Sequence, residues 1–288
     1  MNPAKLVSAI MLVTLTLGAG LEINRAHLAA MLKNARLLSK VVFGNFIVVP
    51  IIGVLLARAF ALDSDIATGF LLMAIAPGVP FVLVGARKKG GRLALAVTMA
   101  LLFPLLSVVT VPITASLVLP PDREASLPVL QFVATLVLFQ FVPVLVGMFI
   151  AYRFPESVAK LEKVIKLLFP LTILILLVFL GPRLIADIGA VYGSRGMLAI
   201  ACIVVLSMLT GWLLGGPGEH ERVTSSLGTA LRNIGLCALV ATSSFGTHSR
   251  IVSTVLVYLL IQFVLTMIAG AAFRRNIKSD AVIEEPAT

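Results

Sequence analysis

The chain has 288 residues, of which 59% are hydrophobic and only 12% charged, with a mean hydropathy of +1.09. That balance excludes a soluble globular domain of this length. The net charge of +10 could suggest a nucleic-acid partner, but its placement along the chain, given below, removes that need.

Apolar stretches long enough to cross a bilayer as helices recur along the chain, at about 6–23, 37–60, 66–86, 93–119, 127–152, 161–181, 196–215, 223–245 and 251–273. Backbone polar groups left unpaired in lipid cost several kcal/mol each, so each stretch is expected to be helical. The expectation is an all-α integral membrane protein of about nine transmembrane helices in one domain, 1–273, with a polar cytoplasmic tail at 274–288. The first stretch has one lysine before it, Lys5, while Arg25, Lys33, Arg36 and Lys40 follow; this asymmetry favours a true span over a signal peptide. Sixteen of the 23 lysines and arginines fall in the loops after stretches 1, 3, 5 and 7 or after the last one. By the positive-inside rule the amino terminus lies outside and the carboxyl terminus in the cytoplasm of a cell-membrane protein. The basic excess is thus a topology signal, meeting anionic lipid rather than nucleic acid.

Two stretches are interrupted in corresponding places. The third contains Ala76-Pro77-Gly78-Val79-Pro80, which does not suit an unbroken helix. The eighth contains Gly228-Thr229-Ala230-Leu231-Arg232-Asn233-Ile234-Gly235. Each is the third of a run of four stretches, and the fifth separates the runs, so the second run must be inverted relative to the first. Paired breaks in inverted halves point to a transporter site, where exposed helix ends meet substrate and coupling ions.

Arg232 stands out as a cation near the middle of a span, which costs about 2.5–3.5 kcal/mol on insertion scales. Three roles stay open: bonding the carbonyls of the opposite broken helix, contacting an anionic substrate, or supplying a fixed positive charge in place of a coupling cation. Asn45, five residues before Pro50, is read as a helix–helix hydrogen bond or a ligand. Gln140, Thr98, Ser107 and Thr172 are read as helix–helix hydrogen bonds, and Gly18 and Gly20 as close packing. Cys202 and Cys237 are read as small buried hydrophobes. His27, His220 and His248 lie far apart in loops, which disfavours a metal centre, and no phosphate loop, dinucleotide fingerprint or nucleophile elbow appears. An enzyme and a cofactor are therefore not expected.

The basic loop, the span with Asn45 and Pro50, the Ala76-Pro77-Gly78 break and the later Arg232-Asn233-Ile234-Gly235-Leu236 together resemble the bile acid:sodium symporter family, over about residues 5–273. Nine spans fit members that lack the first of ten helices. The resemblance implies a panel (spans near 6–23, 127–152 and 161–181) and a core (near 37–119 and 196–273), with the two broken helices crossing. It implies alternating access that moves the core against the panel, carrying a bile acid or other small organic anion. It also implies sodium as the coupling ion. Asn233 matches a family position at the crossover, near substrate, and Thr229, Pro77, Gly78 and Asn45 join it as candidates. Pro80 stands where the family has threonine. Val82 and Leu83 replace a Ser-Asn pair, Ala96 and Ala100 replace hydroxyls, Gly228 replaces a glutamate and Arg232 a glutamine. Side-chain oxygens for sodium would be largely gone, and the coupling would be sodium-independent, with Arg232 as a permanent charge. Two other readings are a membrane receptor that keeps the fold without transport, and an efflux carrier of a related superfamily.

Overall fold

The computed structural model describes residues 3–23, 29, 34–78, 91–120, 129–247 and 249–276. Ten α-helical elements account for almost all of these residues. They are α1 (Pro3–Leu21), α2 (Ala35–Ala59), α3 (Ser64–Ile75), α4 (Leu93–Val118), α5 (Val129–Arg153), α6 (Pro155–Gly193), α7 (Gly196–Leu214), α8 (Glu219–Ala230), α9 (Ile234–Ser244) and α10 (Arg250–Asn276). Seven helices among the described residues are long and apolar enough to cross a membrane, and α3 and α9 are shorter apolar pieces. Large apolar side chains such as Leu55, Leu130, Leu117 and Val178 face outward from these helices. A helix that is apolar all round and exposes leucine is a lipid-facing helix.

Local chemistry sets the ends. Asn34 and Asp63 cap α2 and α3, their side chains accepting the N–H of Leu37 and Ile66. Arg195, in the left-handed region at φ 61°, turns the chain between α6 and α7, and Ser194 Oγ accepts the N–H of Gly196. A guanidinium–carboxylate pair, Arg92–Glu221, and the 2.7 Å bond from Arg92 N to Thr224 Oγ1 tie the start of α4 to that of α8.

Two helices carry a single π turn, Gly44–Val48 in α2 and Val137–Phe141 in α5. Each lies just upstream of a proline, Pro50 or Pro143. A proline ring collides with the carbonyl four residues earlier, and widening the turn before it relieves that collision. The carbonyl opposite Pro143 is that of Phe139, and it accepts a 3.3 Å bond from Thr16 Oγ1 of α1. The polar groups that a proline frees inside a membrane are satisfied by a neighbouring helix.

α1 packs against α5, α6 and α9, α3 against α10, and α7 against α8. Glycines permit the tightest crossings. A Cβ on Gly20 would stand 2.2 Å from the carbonyl oxygen of Val144, and one on Gly147 would stand 2.4 Å from that of Leu17. Gly20 is therefore a packing glycine, as its position suggests, and Gly18 lies against Ile165.

Three expectations are corrected or fall away. The sixth stretch, expected at 161–181, is a 39-residue helix over Pro155–Gly193. Gly181-Pro182 reads as a stop, but a proline inside a helix removes one hydrogen bond and need not end it. The last stretch, expected to end at 273, continues as helix through Asn276. The second part of the interrupted third stretch, with Pro80, Val82 and Leu83, lies outside the described residues. So do Arg25, Lys33, the Arg87–Lys88–Lys89 run, Arg123, His27 and His248.

Candidate functional site

The two breaks meet. The segment 76–78, after α3, and the segment 231–233, between α8 and α9, lie antiparallel and exchange two backbone hydrogen bonds of 3.0 Å. Gly78 N–H donates to Leu231 O, and Asn233 N–H donates to Ala76 O. Pro77 and Arg232 face each other between these bonds as a non-hydrogen-bonded pair. Proline costs no ladder bond at such a position, because its missing N–H would have pointed outward. The matching N–H of Arg232 does point outward, where Gln262 Oε1 of α10 accepts it at 3.0 Å. Gly78 is required by proximity: a Cβ there would lie 2.4 Å from Leu231 O.

The side chains of the second break diverge. Arg232 is fully buried, with Tyr258 of α10 and Cys237 of α9 as its ionisable neighbours. Its Nε, Nη1 and Nη2 make no aligned hydrogen bond, and neither does Tyr258 Oη. The ring of Tyr258 packs on Phe70, and Cys237 Sγ donates to Leu72 O at 3.3 Å, so this side of the crossover faces α3. Among the described residues, backbone pairing and not the guanidinium joins the two breaks.

Asn233 faces the other way. Its Oδ1 accepts the N–H of Leu236 at 3.1 Å and caps α9. Its Nδ2 donates to Gln140 Oε1 of α5 at 2.7 Å. Gln140 in turn donates from Nε2 to Pro104 O of α4, at 3.4 Å. Asn45 sits in the π turn of α2 and donates from Nδ2 to Thr229 Oγ1 at 3.0 Å. The two π turns therefore each present one amide to the interrupted eighth stretch. Single-turn π bulges favour functional positions, and both are fully buried here.

Arg232, Asn233, Pro77 and Gly78 are thus brought together, and Asn45 reaches Thr229 at the end of α8. Gly228 is buried in α8, and Ala96 and Ala100 are buried in α4. Thr98 and Thr172 bond carbonyls of their own helices instead of a neighbour's. Sequence reasoning missed the reach of Gln140 to the crossover, and missed Gln262 and Tyr258 altogether. The available signal was an amide a few residues before a mid-span proline, which Asn45 and Gln140 share. Asp187 was missed too. It is buried in the extension of α6 and accepts a 2.7 Å bond from Ser253 Oγ of α10. A recess of about 270 Å³ opens between α1, Phe139 of α5 and Leu239 of α9, with apolar walls and Lys5 at its edge, and the crossover segments do not line it.

The fold and the crossover define a polytopic helical membrane protein in which the segment after α3 pairs with the junction of α8 and α9. The profile of the Sodium Bile acid symporter family matches residues 9–187, and the chain belongs to that family. Rat "Sodium/bile acid cotransporter 5" is 29% identical over 174 residues, which are 59% of this chain and 39% of the relative. Human "P3 protein" is 28% identical over 177 residues, 60% of this chain and 35% of the relative. Rice "Probable sodium/metabolite cotransporter BASS3, chloroplastic" is 26% identical over 236 residues, 77% of this chain and 53% of the relative. The chain thus spans between about a third and about half of the length of these relatives.

Proposed function

We propose that this chain is a secondary carrier of a small organic anion, with the crossover as its binding and coupling centre. The observation that carries the reading is the polarity of Asn233. Because its Oδ1 is held by the cap of α9, its amide offers only N–H toward α5. A donor held at a helix amino terminus suits an anionic oxygen. The recess lined by α1, Phe139 and Leu239, with Lys5 at its edge, suits the apolar body of an amphipathic anion. The relatives' names, one for bile acid and one for a metabolite, agree with that substrate class.

In this reading α1, α5 and α6 form a panel and the remaining helices a core. Alternating access is movement of one against the other, with Asn233 and Gln140 on the moving boundary. Arg232 acts as a fixed charge inside the core. It lies behind the crossover, toward Tyr258, while Asn233 meets the substrate, so the guanidinium acts on the anion through its field. Ala96, Ala100 and Gly228 offer no side-chain oxygen to sodium, and neither do Val82 and Leu83 by their chemistry. A guanidinium stays charged at ordinary pH, so it supplies without sodium the positive charge that a bound cation would otherwise bring.

The test is uptake of labelled cholate and of labelled short carboxylates into proteoliposomes, with and without an inward sodium gradient. Saturable uptake of at least one, equal in sodium and in choline, is expected, with a large loss in Arg232→Gln. Strong dependence on sodium, or full activity of the variant, would remove the fixed-charge mechanism. The amino terminus is outside and the carboxyl terminus cytoplasmic. Sided labelling of single cysteines introduced at Lys5 and Arg274 tests this, and impermeant reagent should reach only the former in intact cells.

A further inference from the structure

Gln140 is fully buried at the π turn of α5, and its amide is committed at both ends. Nε2 donates to Pro104 O of α4 at 3.4 Å, and Oε1 accepts from Asn233 Nδ2 at 2.7 Å. Both amides are thereby oriented. Turning Asn233 over would uncap α9, and turning Gln140 over would set two donors against each other and its carbonyl oxygen against Pro104 O. The atom that meets Asn233 from α5 is therefore a carbonyl oxygen, the same chemistry that a carboxylate or sulfonate oxygen would bring. The π turn is what aims it there, because the widened backbone before Pro143 shifts the register of the residues it contains.

We propose that Gln140 is a competing internal ligand: its Oε1 holds the Asn233 donor until the oxygen of an anion displaces it, and that exchange releases α5 from the crossover. The inference rests on the reading of the crossover as the substrate site. It makes Gln140 a positioning and specificity-determining residue. A ligand must present an acceptor as good as an amide carbonyl, and its apparent affinity is lowered by the share of molecules in which Gln140 holds the donor. Release of α5 on ligand arrival also links occupancy to movement between the helices, since the Gln140–Asn233 bond joins α5 to the second break.

Gln140→Leu removes the acceptor at similar volume, and Gln140→Glu keeps an acceptor while adding negative charge. In proteoliposomes, half-saturation by labelled cholate should fall about three- to tenfold in Gln140→Leu, the factor set by one neutral hydrogen bond. It should rise in Gln140→Glu. In ligand-free protein in nanodiscs, amide hydrogen exchange should quicken over 231–237 in Gln140→Leu and stay unchanged over 196–214. A purely structural glutamine gives the opposite pattern: half-saturation unchanged or raised, with exchange quickened throughout or nowhere, and either result overturns the proposal. Unchanged half-saturation in Asn233→Leu would instead remove the crossover as the substrate site. A rise in Asn233→Leu alongside no change in Gln140→Leu would sink the internal ligand alone. With a wild type silent toward cholate, the exchange comparison decides.

Discussion

Arg232 is a residue whose stability and function should pull apart. A buried cation at mid-span costs about 2.5–3.5 kcal/mol to insert, and the guanidinium lies beside Tyr258 without an aligned hydrogen bond to it. Even a buried ion pair replaced by apolar side chains of similar volume is often neutral or stabilising, because desolvation of charge is costly, and a lone buried cation carries that cost too. Arg232→Met should therefore raise the midpoint of thermal unfolding in detergent while abolishing anion uptake. A lower midpoint would mean that the guanidinium has a stabilising partner after all. The position was legible in the sequence because a lone charge within an apolar stretch is conspicuous. Its surroundings were not, since Tyr258 and Gln262 reach it from α10 across some 30 residues of chain. A tyrosine or glutamine within a span carries no mark of which helix it faces.

At the scale of elements, the sequence resolved nine stretches and both breaks, because proline and glycine at Pro77-Gly78 and the polar run at 228–235 interrupt otherwise apolar sequence. It misjudged α6, where Gly181-Pro182 has the composition of a helix end and yet lies within one 39-residue helix. The error hid Asp187, which this extension carries into contact with α10. A hydrogen bond contributes about 0.5–1.5 kcal/mol net, and stranding one buried partner costs about 1–3 kcal/mol; the Asp187–Ser253 bond is buried on both sides. Asp187→Asn and Ser253→Ala should each lower stability, and the double variant should fall short of their sum by about 1 kcal/mol or more. Strict additivity in reversible unfolding would show that the contact contributes nothing. The π turns were equally hidden, because widening of a turn depends on what a proline displaces and not on any residue preference within it.

For the whole molecule, the crossover has a mechanical consequence. The two backbone bonds between 76–78 and 231–233 fasten the end of α3 to the junction of α8 and α9 with no side-chain freedom between them. Gly78 lets the two segments approach so closely that a Cβ there would stand 2.4 Å from Leu231 O. In the proposed carrier the crossing acts as a rivet, and the helices it joins are expected to travel as one body. Spin labels on α3 and α9 should keep a single narrow distance distribution under every gradient and ligand. Labels on α5 and α9 should show two distances whose weights shift when an anion is added. A broadened α3–α9 distance on adding the anion would mean the rivet opens during transport, and the moving part would then be smaller than the whole core. With the rivet closed, the same two hydrogen bonds that solve a local problem of interrupted backbone in lipid would also determine the size of the piece that moves in the proposed carrier.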